Sequence, residues 1–220
     1  MPTQRADILI VEDEPSVRSS LSQIFTQIGH DVRSASDGFS ALYELRRKSS
    51  DILLSDLNMP SMSGFELLSI VRRRFPATLV IAMSGAYVGD GIPAGVAADA
   101  FYQKGTDLGA LMRIVRGMSD SERQPAFRHP GTAMPIWITK NENGPFGTRY
   151  VTITCPECLR TFPQLRESAT PVIQEVACTY CATVIPYAVV QPTDAGIGEA
   201  ILSEVRPEMS AHTGERRLGG

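Results

Sequence analysis

Between residue 7 and about residue 117, short apolar runs alternate with longer stretches in which apolar residues recur every three or four positions. The runs Ile8–Val11, Asp31–Ala35, Asp51–Ser55, Thr78–Met83 and Ala100–Gln103 have the length and composition of strands. Ile52, Leu53 and Leu54 form an unbroken apolar stretch, as in a strand buried on both faces. Val17, Leu21, Ile24, Phe25 and Ile28 predict a first helix that Gly29 stops. Ala41, Leu42 and Leu45 mark a second helix, Phe65, Leu67, Leu68 and Val71 a third, and Leu108, Leu111, Met112 and Val115 the last. Five strands, each followed by a helix, imply a doubly wound (βα)5 parallel sheet with right-handed crossovers. The fourth crossover breaks the rule. Gly85, Gly89, Gly91, Pro93 and Gly95 crowd it, and each interior Gly costs about 1 kcal/mol against Ala, so a short, late-starting or mobile segment is expected. The run Arg72-Arg73-Arg74 reads as a solvated helix terminus that compensates the dipole.

Beyond residue 118 the pattern changes. Residues 119–134 are polar and punctuated by Pro125 and Pro130, as in a linker. Ile136-Trp137-Ile138, Tyr150–Ile153, Val172–Ala177 and Thr183–Val190 are strand candidates of a small second domain over 135–190, the last interrupted by Pro186. Residues 191–220 turn polar again and end in Gly-Gly, which predicts a mostly flexible tail.

The carboxyl ends of the predicted strands carry the chemistry. In an open parallel sheet the functional crevice lies outside those ends. Asp56 closes the third strand, ahead of the turn residues Asn58, Pro60, Ser61, Ser63 and Gly64. A carboxylate there can be a nucleophile, a metal ligand or a helix N-cap. Glu12 and Asp13 follow the first strand, Ser84 the fourth and Lys104 the fifth. Asp7 and Glu14 flank this set and read as helix caps. Three carboxylates at close range raise one another's pKa, and one ammonium does not balance them. A hard divalent cation with oxygen ligands does, and Mg²⁺ is the usual one where carboxylates meet phosphate oxygens. With it in place, Asp56 can attack a phosphoryl group while Lys104 and a Ser84 hydrogen bond stabilise the equatorial oxygens.

Ile8-Leu9-Ile10-Val11-Glu12-Asp13-Glu14, then Asp56-x-x-Met59-Pro60-x-x-x-Gly64, then Ser84-Gly85, then Lys104, resembles the receiver domain of two-component response regulators, over residues 5 to 118. The resemblance implies strand order 2-1-3-4-5 and phosphoryl transfer from a histidine kinase or phosphotransfer protein. It also implies Asp56 as phosphoacceptor, Glu12 and Asp13 as Mg²⁺ ligands with the Asn58 carbonyl, Ser84 as switch hydroxyl, Lys104 as phosphoryl-binding cation and Phe101 as an aromatic switch. A core role for Phe101 is the alternative, and Tyr102 stands beside it. Two positions depart from the family pattern. Gly105 follows the lysine where a cis proline is usual, and the Gly-rich segment 85–97 replaces an ordinary fourth helix on the family's signalling face.

Cys155-Pro156-Glu157-Cys158 and Cys178-Thr179-Tyr180-Cys181 are separated by the 19 residues 159–177. That spacing matches a four-cysteine zinc site. A redox dithiol is the competing reading, though it normally uses one pair on a helix N-terminus. A closed four-thiolate shell leaves no open position, so the zinc would be structural in a ribbon-like β fold too small to stand on its own core.

Composition then narrows the function. An apolar fraction of 43%, a charged fraction of 20% and a net charge of −3 suit a globular chain that is not broadly basic. No run reaches the length needed to cross a bilayer, and Ile8–Val11 is too short for a signal sequence, so a cytoplasmic location without membrane attachment is expected. There, four cysteines are unlike two disulfides. Residues 119–190 hold six basic and six acidic side chains, without the basic footprint of a nucleic-acid binder. The expected function is a phosphoacceptor signalling protein acting through protein contacts, not a turnover enzyme. A DNA-binding transcriptional regulator is the alternative. A metal-dependent phosphohydrolase is disfavoured because residue 58 is Asn where a second acid is needed.

Overall fold

The structure, a computed structural model, describes residues 5–85, 96–119, 135–139, 150–165 and 173–190. The five apolar runs form one parallel sheet from β1 (Asp7–Val11), β2 (Asp31–Ala35), β3 (Ile52–Asp56), β4 (Leu79–Ser84) and β5 (Ala100–Gln103). Its order is β2-β1-β3-β4-β5, the one implied by the resemblance. All five residues of the central β3 are buried, as its unbroken apolar sequence requires.

The helices are α1 (Pro15–Gln27), α2 (Gly38–Arg47), α3 (Gly64–Arg74) and α4 (Leu108–Ser119). Each of the first three begins on a side-chain cap, from Glu14, Asp37 and Ser63 respectively. Gly29 takes φ 102°, the left-handed geometry that ends α1. The strand residues of alternating parity feed two apolar layers. Ile8, Ile10, Ile52, Leu54, Ile81, Met83 and Tyr102 pack with Leu21 and Phe25 of α1 and Leu111 and Val115 of α4. Leu9, Val11, Leu53, Val80, Ala82 and Phe101 pack with Leu42 and Leu45 of α2 and Leu67, Leu68 and Val71 of α3.

The second layer does not stop at α3. It runs on into the C-terminal strands β6 (Ile136–Thr139), β7 (Tyr150–Thr154), β8 (Thr161–Leu165), β9 (Gln174–Ala177) and β10 (Val184–Val190). These form a three-stranded sheet, β6-β10-β9, and a β7-β8 hairpin. Strand β10 carries Pro186 and still pairs with β9, Pro186 opposite Glu175. Strand β6 lies along α3, and eight consecutive α3 residues, Gly64 to Val71, are buried. The helix is thus covered on two sides, by its own sheet and by the C-terminal β unit.

Two expectations require correction. Arg72 is not part of a solvated terminus. Its side chain is 11% exposed and pairs with Asp99, while its Nε donates to the Ala97 carbonyl at 3.2 Å. Asp7 caps no helix; it accepts from Arg33 at 2.9 Å and pairs with Lys48 at 2.5 Å at the opposite edge of the sheet. Residues 120–134, 191–220 and the part 86–95 of the Gly-rich segment lie outside the described residues.

Candidate functional site

Parallel strands deliver their last residues to one edge, and the carboxyl ends of β1, β3, β4 and β5 meet there. Glu12 (1% exposed) and Asp56 (5%) are buried. Glu12, Asp13 and Asp56 each offer a carboxylate oxygen, and these oxygens lie within 4.8 Å of one another. Lys104 Nζ stands 2.7 Å from Glu12 Oε2 and 2.7 Å from Asp56 Oδ2. Burial pushes the Glu12 carboxyl above its usual range, against the pull of the Lys104 ammonium. For Lys104 burial works downward, but its bonds to Asp56 and Glu12 outweigh it and raise the ammonium's pKa. Among the described residues the site therefore holds one firmly charged cation and three acids, and a hard divalent ion completes the balance.

The other expected residues are assembled around this core. Asp56 Oδ1 accepts the Asn58 backbone N–H at 3.3 Å, and the Asn58 amide meets the Ser84 hydroxyl at 3.3 Å. Ser84 is fully buried at the end of β4, and the Lys104 backbone N–H donates to its carbonyl. Phe101, buried opposite Ala82 in the sheet register, points into the layer shared with α3. Tyr102 points into the other layer, its hydroxyl donating to the Thr106 carbonyl at 3.3 Å. The alternation along β5 thus distinguishes the two aromatics. Gly105 adopts φ 83°, which a proline cannot.

Arg18 and Glu66 escaped the sequence reading, as did the packing role of Gly64. Arg18 Nη1 donates to the backbone carbonyls of Glu12 (2.6 Å) and Asp13 (3.1 Å), steadying the loop that presents both acids. A Cβ on Gly64 would stand 2.1 Å from the Asp56 carbonyl oxygen and 2.6 Å from Leu57 Cα, so α3 starts in direct contact with the Asp56 backbone. Glu66 sits in the first turn of α3, where a capping box would turn it back on the helix. Its Oε1 instead accepts the Thr154 backbone N–H at 3.0 Å. Burial raises its pKa to about 7.

With this geometry in place, comparison with known proteins is decisive for the N-terminal half. Residues 8–116 match the response regulator receiver domain. This segment is a receiver domain. The response regulator protein FleR of Pseudomonas aeruginosa is 35% identical over 79 residues, covering 36% of this chain and 17% of its own length. The probable transcriptional regulator ycf27 of Porphyridium aerugineum is 30% identical over 125 residues, 57% of this chain and 48% of its own. The chain therefore spans less than half the length of these relatives. The chemotaxis response regulator CheY4 of Vibrio cholerae aligns with 26% identity and a TM-score of 0.47 over 52% of this chain and 98% of its own. Receiver domains bind Mg²⁺ at an acidic site such as the one formed by Glu12, Asp13 and Asp56, and they interact with histidine kinases. Among the described residues no helix is long and apolar enough to cross a membrane.

The four cysteines form a second cluster, their Sγ atoms within 4.8 Å of one another. Both knuckles repeat one backbone pattern. Cys155 N–H donates to the Arg160 carbonyl and Leu159 N–H to the Cys155 carbonyl. Likewise Cys178 N–H donates to the Thr183 carbonyl and Ala182 N–H to the Cys178 carbonyl. Leu159 and Ala182 occupy equivalent places with φ 55° and 60°. Cross-knuckle sulfur distances are 3.6 Å (Cys155–Cys181) and 3.7 Å (Cys158–Cys178). A tetrahedron of about 2.3 Å zinc–sulfur bonds has edges of about 3.8 Å, so the cluster fits that ion. A disulfide needs a sulfur–sulfur distance of about 2.05 Å, and all four thiols are free.

Proposed function

We propose that this chain is a two-component response regulator that takes a phosphoryl group on Asp56 from a histidine kinase or phosphotransfer protein. The observation that carries this reading is the single ammonium of Lys104, 2.7 Å from both Asp56 and Glu12, at the meeting point of four strand ends. Glu12, Asp13, Asp56 and the Asn58 carbonyl would hold Mg²⁺, which supplies charge neutralisation for the incoming phosphoryl oxygens. An Asp56 oxygen attacks phosphorus as the bond from phosphorus to the donor breaks, leaving an acyl phosphate. Lys104 exchanges its carboxylate contact for a phosphoryl oxygen, and Ser84 donates its hydroxyl to another. Phe101, buried beside β4 in the apolar layer shared with α3, is the aromatic that responds to that rearrangement. Chemistry beyond the chain's own phosphorylation and dephosphorylation is not part of this function.

The C-terminal unit is a zinc-ribbon-like fold whose Cys155, Cys158, Cys178 and Cys181 hold one structural Zn²⁺. The matching knuckles and the tetrahedral sulfur spacing support it. Its output runs through protein contacts, since its charges are balanced. Intact mass after treatment with a small phosphodonor and Mg²⁺ tests the central reading. One added phosphoryl group is expected, absent in Asp56→Asn; equal addition to both proteins rejects the assignment.

A further inference from the structure

The C-terminal unit touches the receiver at a mechanically sensitive place. Gly64, first residue of α3, packs on the Asp56 backbone without room for a methyl group, and its N–H donates to the Leu57 carbonyl at 3.0 Å. Two residues onward, about half a helical turn, the Glu66 carboxyl accepts the N–H of Thr154, the residue before Cys155. Further along the same face, Ser69 Oγ accepts the Trp137 backbone N–H at 3.5 Å. Phosphoacceptor loop, α3 and first cysteine knuckle are therefore in continuous contact.

This docking is held against opposing costs. It buries Glu66 to 4% exposure, and the buried Trp137 indole N–H has no partner among the described residues. A buried carboxyl and an orphaned donor both oppose docking, so the interface is less stable than the apolar layer shared with α3 would make it alone.

We propose that the phosphoacceptor pocket and the four-thiolate site oppose each other through α3. Metal at the thiolates favours the docked helix, and a phosphoryl group on Asp56 disfavours it. The proposal rests on the two readings above. In the docked arrangement Lys104 is shared by Glu12 and Asp56, and Asn58 engages Asp56 and Ser84. A phosphoryl group claims Lys104 and Ser84, releases Asn58 and moves the loop 57–63. With no slack at Gly64 the loop cannot absorb that movement, so the first turn of α3 shifts and Glu66 leaves Thr154. Binding at the knuckle orders Cys155 and its neighbour Thr154, which holds Glu66 in place. By linkage each site must weaken the other by the same factor.

Zinc affinity of the full chain, measured by competition with a chromogenic chelator, with and without Mg²⁺ and beryllium fluoride, tests this. Trp137 emission reports docking in the same samples, and ¹⁹F resonances report bound beryllofluoride. Zinc should bind about fivefold or more weakly in the beryllofluoride state, with a Trp137 change. Glu66→Ala, and separately the milder Ser69→Ala, should shrink the effect toward none. Bound beryllofluoride with unchanged or tighter zinc binding overturns the coupling alone. Absence of bound beryllofluoride overturns the phosphoacceptor reading, and absence of zinc binding overturns the zinc reading; either removes the coupling with it.

Discussion

Replacing Glu66 by Gln keeps an acceptor for Thr154 N–H and removes only the titration. The carboxyl has an ordinary pKa of 4.5 and is raised to about 7 in the fold, chiefly by burial, against the Thr154 hydrogen bonds that lower it. A raised carboxyl favours the docked state fully below 4.5, where both states are protonated. Between 4.5 and about 7 the detached state ionises and the docked state does not, so that stability is lost as pH rises. At about 1.4 kcal/mol per pH unit, the gap amounts to about 3 kcal/mol. Urea unfolding followed by Trp137, the chain's only tryptophan and buried beside α3, gives the stability of each protein across the range. Subtracting wild type from Glu66→Gln cancels every other titrating group, the thiolates included. The difference should grow in favour of Gln by about 3 kcal/mol from pH 4.5 to 7.5. A pH-independent difference would refute the claim that this carboxyl is buried at the interface.

Two further outcomes follow from packing. Gly64→Ala forces a methyl group into the Asp56 backbone and should cost about 3 kcal/mol or more in urea unfolding, with reduced phosphoryl uptake; a neutral substitution would mean that α3 does not abut the loop. Cys155→Ser should lower zinc from about one per chain to near none by elemental analysis and release the C-terminal unit to protease while residues 8–116 stay resistant. Retained zinc would contradict the four-thiolate assignment.

Much of the receiver was legible because its determinants are local and periodic. Ile52–Leu54 reads as a doubly buried strand, and strand ends fall at predictable positions, so Glu12, Asp13, Asp56, Ser84 and Lys104 could be gathered before any coordinates. The knuckles were legible because two thiolates per tight turn is a spacing constraint. Docking was not, since it is set by which surface of α3 a distant segment covers. A trace existed: Phe65, Leu67, Leu68, Ile70 and Val71 make α3 apolar over more than the single stripe a surface helix needs. Glu66 was masked by its capping-box position, and Arg72 by two neighbouring arginines. Arg18 acts on backbone carbonyls, which no side-chain motif records.

The most direct measurement locates the phosphoryl group. Reduction of the phosphorylated protein with borohydride converts an acyl phosphate to an alcohol, and peptide mass mapping identifies the residue. The modification should fall on Asp56 alone, depend on Mg²⁺ and weaken in Lys104→Gln. Modification of another carboxylate, or the same yield without Mg²⁺, would contradict the account.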